Sequence, residues 1–157
     1  MKLLKIVAHS LVGILVVVVL GLIVTKFFDG PIGPLPGGAL RSGEIVTAAV
    51  DDWSFVTDVE LIELQLVAEN QSRTVGIVFN DGTAYVSSTP ATYWQRKVET
   101  SADAWLRIEG RRYPVALSRI HEPARNAAIR TVATAKYAEA ITPDFFFFRV
   151  ESRSHDA

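Results

Sequence analysis

The chain has 157 residues and a formal net charge of -1, with 49% hydrophobic and 21% charged residues. This length holds one modest domain, or one domain with an appendage. Without a net positive charge the composition excludes a basic nucleic-acid-binding protein. Without cysteine it excludes disulfide scaffolds, zinc fingers, iron–sulfur clusters and cysteine nucleophiles.

The first predicted element is a hydrophobic helix. Residues 6–25 contain no Asp, Glu, Lys or Arg over 20 positions, and a helix of that length spans about 30 Å, the thickness of a bilayer's hydrocarbon core. A buried core helix and a cleaved signal peptide are the alternatives. The apolar run is longer than the core of a signal peptide, and it ends in the bulky residues Lys26, Phe27 and Phe28. We therefore predict an uncleaved membrane anchor over residues 1–28, which contacts the bilayer through residues 6–25.

The flanking charges predict the orientation of this anchor. Lys2, Lys5 and the α-amino group precede the apolar run, whereas Lys26 follows it and is offset by Asp29. The positively charged end of a membrane helix stays in the cytoplasm. The expectation is a single-pass cell-membrane protein with a cytoplasmic N-terminus and an extracytoplasmic domain.

Residues 29–54 are predicted to be a Pro/Gly-rich linker and lead-in. Residues 29–38 alone contain three Pro and four Gly, which cannot continue the helix. The domain proper is placed at 55–152, followed by a tail at 153–157. The part of the chain after residue 28 holds all 17 acidic and 13 of the 16 basic residues, a net charge of -4.

Three strands are predicted at the start of the domain. In residues 59–66 the apolar positions Ile62, Leu64 and Leu66 alternate with polar ones, as in a half-buried strand. Residues 74–79 and 83–88 are two β-branched runs joined by Asn-Asp-Gly, and the Asp-Gly pair favours a tight hairpin turn.

A helix is expected to follow Pro90, with Trp94 and Val98 on its apolar face and Arg96 and Lys97 on the opposite face. A second hairpin then joins strands at 104–108 and 112–120. Its turn is Glu109-Gly110-Arg111. Trp105, like Trp94, is predicted to pack in the core.

The last two elements are a helix and a strand. Pro123 suits the first turn of a helix over 122–140, and Thr142-Pro143 ends it. The four phenylalanines at 145–148 predict a final strand that is buried on both faces. The apolar stripe of the helix consists of Ile129, Val132, Ala133, Tyr137 and Ala140.

The order of elements predicts the fold class. Three strands, a helix, two strands, a helix and a strand suit antiparallel hairpins better than a parallel α/β sheet. We predict an α+β, mostly β, domain: a small antiparallel split β-barrel with two helices, preceded by one N-terminal transmembrane helix.

Three stretches carry a resemblance to a known family. They are the strand–Asn-Asp-Gly–strand unit, Tyr93-Trp94-Gln-Arg-Lys-Val98 and Ala104-Trp-Leu-Arg-Ile-Glu-Gly-Arg-Arg-Tyr-Pro-Val115. Together they resemble the split β-barrel superfamily of pyridoxamine-phosphate-oxidase-like, flavin-binding proteins, most closely its deazaflavin-dependent nitroreductase and quinone reductase branch. The resemblance covers residues 55–152.

The resemblance implies a ligand and a place for it. In this family a flavin such as FMN, or a deazaflavin, lies in a groove that is often at a dimer interface, which implies a homodimer. Carried over by position, the phosphate-binding residues are Ser87, Ser88, Thr89, Arg96 and Lys97. Trp94 would form a wall beside the planar ring.

No catalytic residue and no metal site are assigned from the sequence. Three His and no Cys leave little from which to build a Ser-His-Asp triad or a metal centre. The first hypothesis is a membrane-anchored split barrel of oxidoreductase ancestry that binds a flat, flavin-like ligand. The alternatives are an active flavin- or deazaflavin-dependent quinone or nitro reductase, and a non-catalytic accessory subunit of a membrane protein complex.

Overall fold

A computed structural model describes residues 2–138 and 141–154 of the chain, without the side chains of residues 2–4, 6 and 8. In that part of the chain three α-helices, seven β-strands and one short 3-10 helix form. They are α1 (Lys2–Thr25), β1 (Glu44–Ile45), the 3-10 helix (Ser54–Val56), β2 (Leu61–Leu66), β3 (Ser72–Asn80), β4 (Thr83–Ser88), α2 (Trp94–Val98), β5 (Asp103–Ile108), β6 (Arg111–Arg119), α3 (Pro123–Tyr137) and β7 (Phe146–Ser152).

Six of the strands close into an antiparallel barrel. The order is β6-β5-β2-β3-β4-β7, and β7 pairs back onto β6 to complete the ring. The short strand β1 adds to β6 in parallel, with Glu44 opposite Arg111. The predicted fold class, a small antiparallel barrel that is mostly β with two helices, is confirmed.

Both predicted hairpin turns have the backbone that their sequences favour. Asp81 and Gly82 have φ values of 50° and 75°, and Glu109 and Gly110 have 49° and 78°. Two successive residues with positive φ match the right-handed twist of the flanking strands, which is why Gly follows the acidic residue in each turn.

The core has two layers because β7 is buried on both faces, as predicted. Phe148 points into the barrel, where it belongs to the main apolar cluster, whereas Phe147 points outward and packs under α3 with Ile129 and Ala133. Val132 and Tyr137 on the same helix are half-buried. Ala140, the last predicted position of the stripe, lies outside the described residues, as does residue 155 onward in the tail.

Two predictions about tryptophan and helix length differ from the structure. Trp94 is buried in the core as predicted, but Trp105 is half-buried on the outward face of β5, with the Arg112 guanidinium 5.5 Å from its ring centroid. Helix α2 spans only five residues. The backbone N–H of Thr92 donates to the carbonyl of Thr89, so a turn takes up the start of the expected helix.

Helix α1 forms where a helix was predicted, and its apolar side chains are exposed. The exposed fractions of Val17 and Val19 are 69% and 45%. Within the part of the chain that the structure describes, however, no helix is long and apolar enough to cross a membrane. The predicted transmembrane helix is therefore not found. The side chain of Lys2, on which the orientation partly depends, is outside the described set.

Residues 29–46, which we call the wrapping segment, pack along the barrel. The backbone N–H of Leu40 donates to Gln65 Oε1 (2.7 Å), and Ser72 Oγ donates to the carbonyl of Gly38 (2.5 Å). Leu40, Gln65 and Ser72 are all buried. This part of the predicted linker is thus fixed to strands β2 and β3 by hydrogen bonds.

One arginine fastens the beginning of the wrapping segment. Arg107 on β5 donates from Nη1 to Asp29 Oδ1 and to Ser42 Oγ (3.0 Å each), from Nη2 to the carbonyl of Asp29 (3.0 Å), and from Nε to Glu63. Desolvation raises the pKa of Asp29, but donors from Arg41, Ser42 and Arg107 outweigh it and hold that pKa well below its usual range. The carboxylate stays ionised against its arginine partner.

Candidate functional site

A groove of about 480 Å³ opens at one end of the barrel. Its walls come from the β2–β3 turn, the end of β4, helix α2 and the wrapping segment, which contributes Pro34 and Pro36. A cavity of this volume is in the range that holds small organic ligands. The β2–β3 turn and the end of β4 meet here because β2, β3 and β4 are consecutive neighbours in the barrel.

Five of the six predicted site residues line this groove. Ser87 and Ser88 end strand β4, Thr89 follows them, and Trp94 and Lys97 lie on α2. The sixth residue, Arg96, does not line the groove. The side chain of Arg96 is exposed, with the guanidinium 5.7 Å from the ring centroid of Tyr93.

The hydroxyl groups near the groove are largely occupied by one another. Ser88 Oγ pairs with Thr92 Oγ1, which also donates to the carbonyl of Thr89 (2.8 Å). Gln95 Nε2 donates to the same carbonyl (3.3 Å). These bonds stabilise the turn between β4 and α2, so the hydroxyls of Ser88 and Thr92 serve the turn itself.

The groove contains a cluster of three charged residues. Glu69 in the β2–β3 turn accepts hydrogen bonds from Arg73 Nη2 through one carboxylate oxygen and from Lys97 Nζ through the other. The side chains of Glu69 and Arg73 are only 10% and 13% exposed, whereas Lys97 is 44% exposed. Desolvation raises the pKa of Glu69, but the hydrogen bonds from Lys97 and Arg73 outweigh it, and the pKa lies below the usual value.

The guanidinium of Arg73 also lies against the aromatic wall of the groove. Its central carbon is 5.8 Å from the Trp94 ring centroid, and Trp94 packs on Phe148 inside the barrel with centroids 5.2 Å apart. Among the described residues, Arg73 Nη1 is a buried donor with no hydrogen-bond partner. A buried polar group without a partner is costly, so a ligand acceptor at this position would gain a strong, charge-assisted hydrogen bond.

The sequence analysis did not assign Glu69 or Arg73 to the site. Each is one charged residue in a polar turn, where charges are ordinarily solvated. Glu69 and Arg73 pair directly over four positions, whereas the contact of Glu69 with Lys97, 28 positions beyond it, depends on helix α2 packing beside the β2–β3 turn. A faint signal exists in Gln71-Ser72-Arg73, where a large cation stands beside a serine that the fold buries.

The chemistry available in the groove is binding and charge compensation. No group of three or more His, Cys, Asp or Glu side chains in the described ranges could hold a metal ion. The exposed ring of Tyr93 offers a flat surface, Trp94 forms a largely buried aromatic wall beside Arg73, and Arg73 offers a directional donor. The arrangement suits a planar molecule with an acceptor atom on its edge.

No protein-family model matches the chain, and no curated protein sequence matches it. Solved structures do match. A putative pyridoxamine 5'-phosphate oxidase from Listeria innocua has a TM-score of 0.52 at 13% identity, over 64% of this chain and 89% of that one. A putative general stress protein 26 from Jannaschia sp. has 0.51 at 14%, over 65% and 71%.

A third similar structure is ChuZ from Campylobacter jejuni, with a TM-score of 0.52 at 12% identity, over 64% of this chain and 50% of that chain. At these identities the likeness concerns the fold alone. It agrees with the closed six-strand ring and with the resemblance noted in the sequence. The chain has the split-barrel fold of the pyridoxamine 5'-phosphate oxidase-like proteins.

Proposed function

We propose that the chain binds a flat aromatic ligand of the flavin or deazaflavin kind in the groove between the β2–β3 turn and helix α2. The observation that carries the proposal is the buried Arg73 guanidinium, which lies against Trp94 and has no partner for Nη1. A ring carbonyl at the edge of a planar ligand would complete its hydrogen bonding. The split-barrel fold and the resemblance to flavin-binding proteins support the same class of ligand.

The residues fit the ring of such a ligand better than they fit its phosphate. Tyr93, Trp94 and Arg73 provide the flat surface and the donor. Of the cations expected at the phosphate, Arg96 lies outside the groove and Lys97 is paired with Glu69. A bound flavin ring would supply hydride chemistry, while the residues named here would orient the ring and hold its acceptor edge.

The test is to purify the chain, record its absorption spectrum and titrate in riboflavin, a deazaflavin and haem. We expect one of the two flavin-type ligands to co-purify or to bind at micromolar concentration. Arg73→Lys keeps the charge and removes the guanidinium, and it should weaken binding roughly tenfold because a charged hydrogen bond and a stacking contact are lost.

Arg112→Lys is the matched control for that variant. Arg112 stacks on Trp105 with the same kind of geometry, 5.5 Å from the ring centroid, but it lies away from the groove. Its replacement should leave ligand affinity unchanged. Binding that responds equally to both variants, or no binding of either flavin-type ligand, would contradict the proposal. Absence of a ligand together with a co-purifying protein would favour an accessory subunit.

Catalysis is a more specific hypothesis than ligand binding. We propose reduction of a quinone or nitro-aromatic acceptor as the activity to test, since a ring held in an open groove leaves one face accessible to a second substrate. The measurement is the rate of oxidation of the chemically reduced ligand by a water-soluble quinone, with and without the protein. A rate that does not exceed that of the free reduced ligand would leave only the binding function.

We also propose that α1 attaches the chain to a lipid bilayer. The support is the row of exposed apolar side chains along the helix, among them Leu11 and Leu15 at 62% exposure each. Burial of such side chains in lipid is favourable by about 25 cal/mol per Å². The chain should sediment with membranes and resist an alkaline carbonate wash. A reporter enzyme that works only outside the cytoplasm, fused after Ala157, should be active if the predicted orientation holds.

A further inference from the structure

Glu69 occupies the position in the groove at which an anionic ligand group would be expected. Its two carboxylate oxygens accept from Arg73 and from Lys97, the two cations that line the groove. The resemblance to flavin-binding proteins had pointed to Lys97 as part of a phosphate site. In this chain that cation is already neutralised by a residue of the protein.

We propose that Glu69 makes the groove selective for a flat ligand without a phosphate group, and against the phosphorylated form of the same ring. This inference rests on the proposed function, since it concerns the same groove. It names the ligand class more narrowly: an uncharged or singly charged aromatic carbonyl compound, held by Arg73 Nη1 at its edge and by Trp94 at its face.

The charge balance of the groove supports this selectivity. Arg73 and Lys97 carry two positive charges and Glu69 carries one negative charge, so the cluster retains a single positive charge. A phosphate monoester carries close to two negative charges at neutral pH. It would have to lie beside the Glu69 carboxylate, and like charges placed together at a binding site oppose binding.

The backbone around Glu69 limits how far its carboxylate can withdraw. The Glu69 N–H donates to the carbonyl of Leu66 (2.9 Å), and Gln65 Nε2 donates to the carbonyl of Glu69 (2.8 Å). Gln65 is itself buried and held by Leu40 of the wrapping segment. These three hydrogen bonds hold the β2–β3 turn in place, and the Glu69 carboxylate stays between its two cations.

The experiment compares riboflavin with riboflavin 5'-phosphate, which share one ring and differ by the phosphate. We expect the wild-type chain to bind riboflavin roughly tenfold more tightly than its phosphate. Glu69→Gln keeps the shape and removes the negative charge, so it should make the two affinities equal or favour the phosphate. Wild-type preference for the phosphate would overturn the inference, as would an unchanged ratio in the variant.

Glu99→Gln is the matched control. Glu99 pairs with Arg119 at 3.4 Å, is 62% exposed and does not line the groove. Its replacement changes the net charge by the same amount and should leave the ratio of the two affinities at the wild-type value. A ratio that shifts equally in Glu99→Gln would show a general charge effect and would contradict the role of Glu69.

A second readout needs no flavin. If neither riboflavin nor its phosphate binds, the proposed function fails, and inorganic phosphate then tests Glu69 by itself. Phosphate should raise the melting temperature of Glu69→Gln, whose two cations are no longer neutralised, and should leave that of the wild-type chain unchanged. Equal stabilisation of both proteins by phosphate would overturn the inference. If Glu69→Gln does not fold, the preference for riboflavin over its phosphate can still be measured with the wild-type chain.

Discussion

The two ends of strand β2 bury positive charge in opposite ways. Near its start, Lys136 of α3 donates to the carbonyls of Val56, Val59 and Ile77 at 3.0, 2.6 and 2.9 Å, so all three of its protons have partners. Beyond its end, Arg73 and Lys97 share the single carboxylate of Glu69, and Arg73 Nη1 has no hydrogen-bond partner. The first arrangement stabilises the fold. The second leaves one donor without a partner, and this is the donor to which we propose that a ligand binds.

This contrast is instructive because burial alone does not separate the two sites. Desolvation lowers the pKa of Lys136, while Asp58 and Glu60 partly oppose the shift. The cation remains because backbone carbonyls replace its water. At the other end, Arg73 lies against the Trp94 ring, which supplies no acceptor, and its one acceptor is the Glu69 carboxylate. The number of hydrogen-bond partners per donor therefore distinguishes Lys136, which stabilises the fold, from Arg73, which we propose binds a ligand.

The largest expected effect follows from Lys136. Lys136→Met keeps most of the aliphatic stem and removes the ammonium, so three carbonyls lose their donor. We expect the free energy of unfolding to fall by roughly 3 kcal/mol, measured by urea denaturation. Lys97→Met, at the more exposed groove position, should cost less than about 1 kcal/mol. Equal losses would refute the distinction between the two ends.

A second, smaller loss is expected at Arg107, whose three guanidinium nitrogens all donate hydrogen bonds. Arg107→Leu leaves Asp29 and Glu63 without their guanidinium and should reduce the free energy of unfolding by roughly 2 kcal/mol. Limited proteolysis should then cut within the wrapping segment. Arg111→Leu is the control, since its contact with Glu44 is 3.9 Å long and both side chains are mostly exposed. That variant should stay within about 0.5 kcal/mol of the wild type.

The acid dependence of stability tests the groove cluster. Because the folded-state pKa of Glu69 lies below the ordinary value of 4.5, the unfolded chain takes up its proton first. The contribution of Glu69 is therefore fully present above 4.5 and is lost as the pH falls through the folded-state pKa. Urea unfolding between pH 7 and about pH 3 should show a shallower acid loss in Glu69→Gln than in the wild type. Identical slopes would contradict the ion pairs described here.

The smallest effect is expected at Arg96. Its side chain lies against Tyr93 and outside the groove, so Arg96→Gln should change ligand affinity by less than about twofold.

Lys97→Gln leaves Glu69 with one cation and should weaken the binding of riboflavin 5'-phosphate more than the binding of riboflavin. Titration of both ligands into both variants gives the comparison. A large effect of Arg96→Gln would contradict this expectation and would support the phosphate-binding role that the family resemblance predicts for Arg96.

The strands were predictable because their signals are local. The alternation of Ile62, Leu64 and Leu66, and the Asp-Gly turn at 81–82, depend on neighbours in sequence, and the barrel keeps each of them. The outward position of Trp105 was mispredicted although a local signal existed. Asp103 and Arg107 share its face of β5 and are polar, while Ala104 and Leu106 on the other face are buried. The size and hydrophobicity of Trp105 favoured the wrong face, and the Arg112 guanidinium covers its ring.

The sequence predicted that several of the proposed site residues lie close together, but not the ion pairs that they form; their role in binding stays a prediction. Ser87, Trp94 and Lys97 do line one groove, which is what position relative to β4 and α2 allows one to infer. The pairing of Lys97 with Glu69 joins two elements that the chain does not connect directly. The packing of the wrapping segment is equally non-local, since a run rich in Pro and Gly has the composition of a linker whether or not strands lie beside it.

The way the wrapping segment is fastened has a mechanical consequence. Three residues, Lys26-Phe27-Phe28, separate helix α1 from Asp29, whose carboxylate is held by Arg107 and by the backbone N–H groups of Arg41 and Ser42. A pull on the helix would therefore load these few contacts before any hydrogen bond between barrel strands. We expect this fastening to open first. Once the hydrogen bonds of Gly38 and Leu40 to the barrel and the pairing of β1 with β6 also break, residues 30–46 would form an extended tether of roughly 55 Å. The barrel, closed on itself, would remain folded while its distance from helix α1 grows.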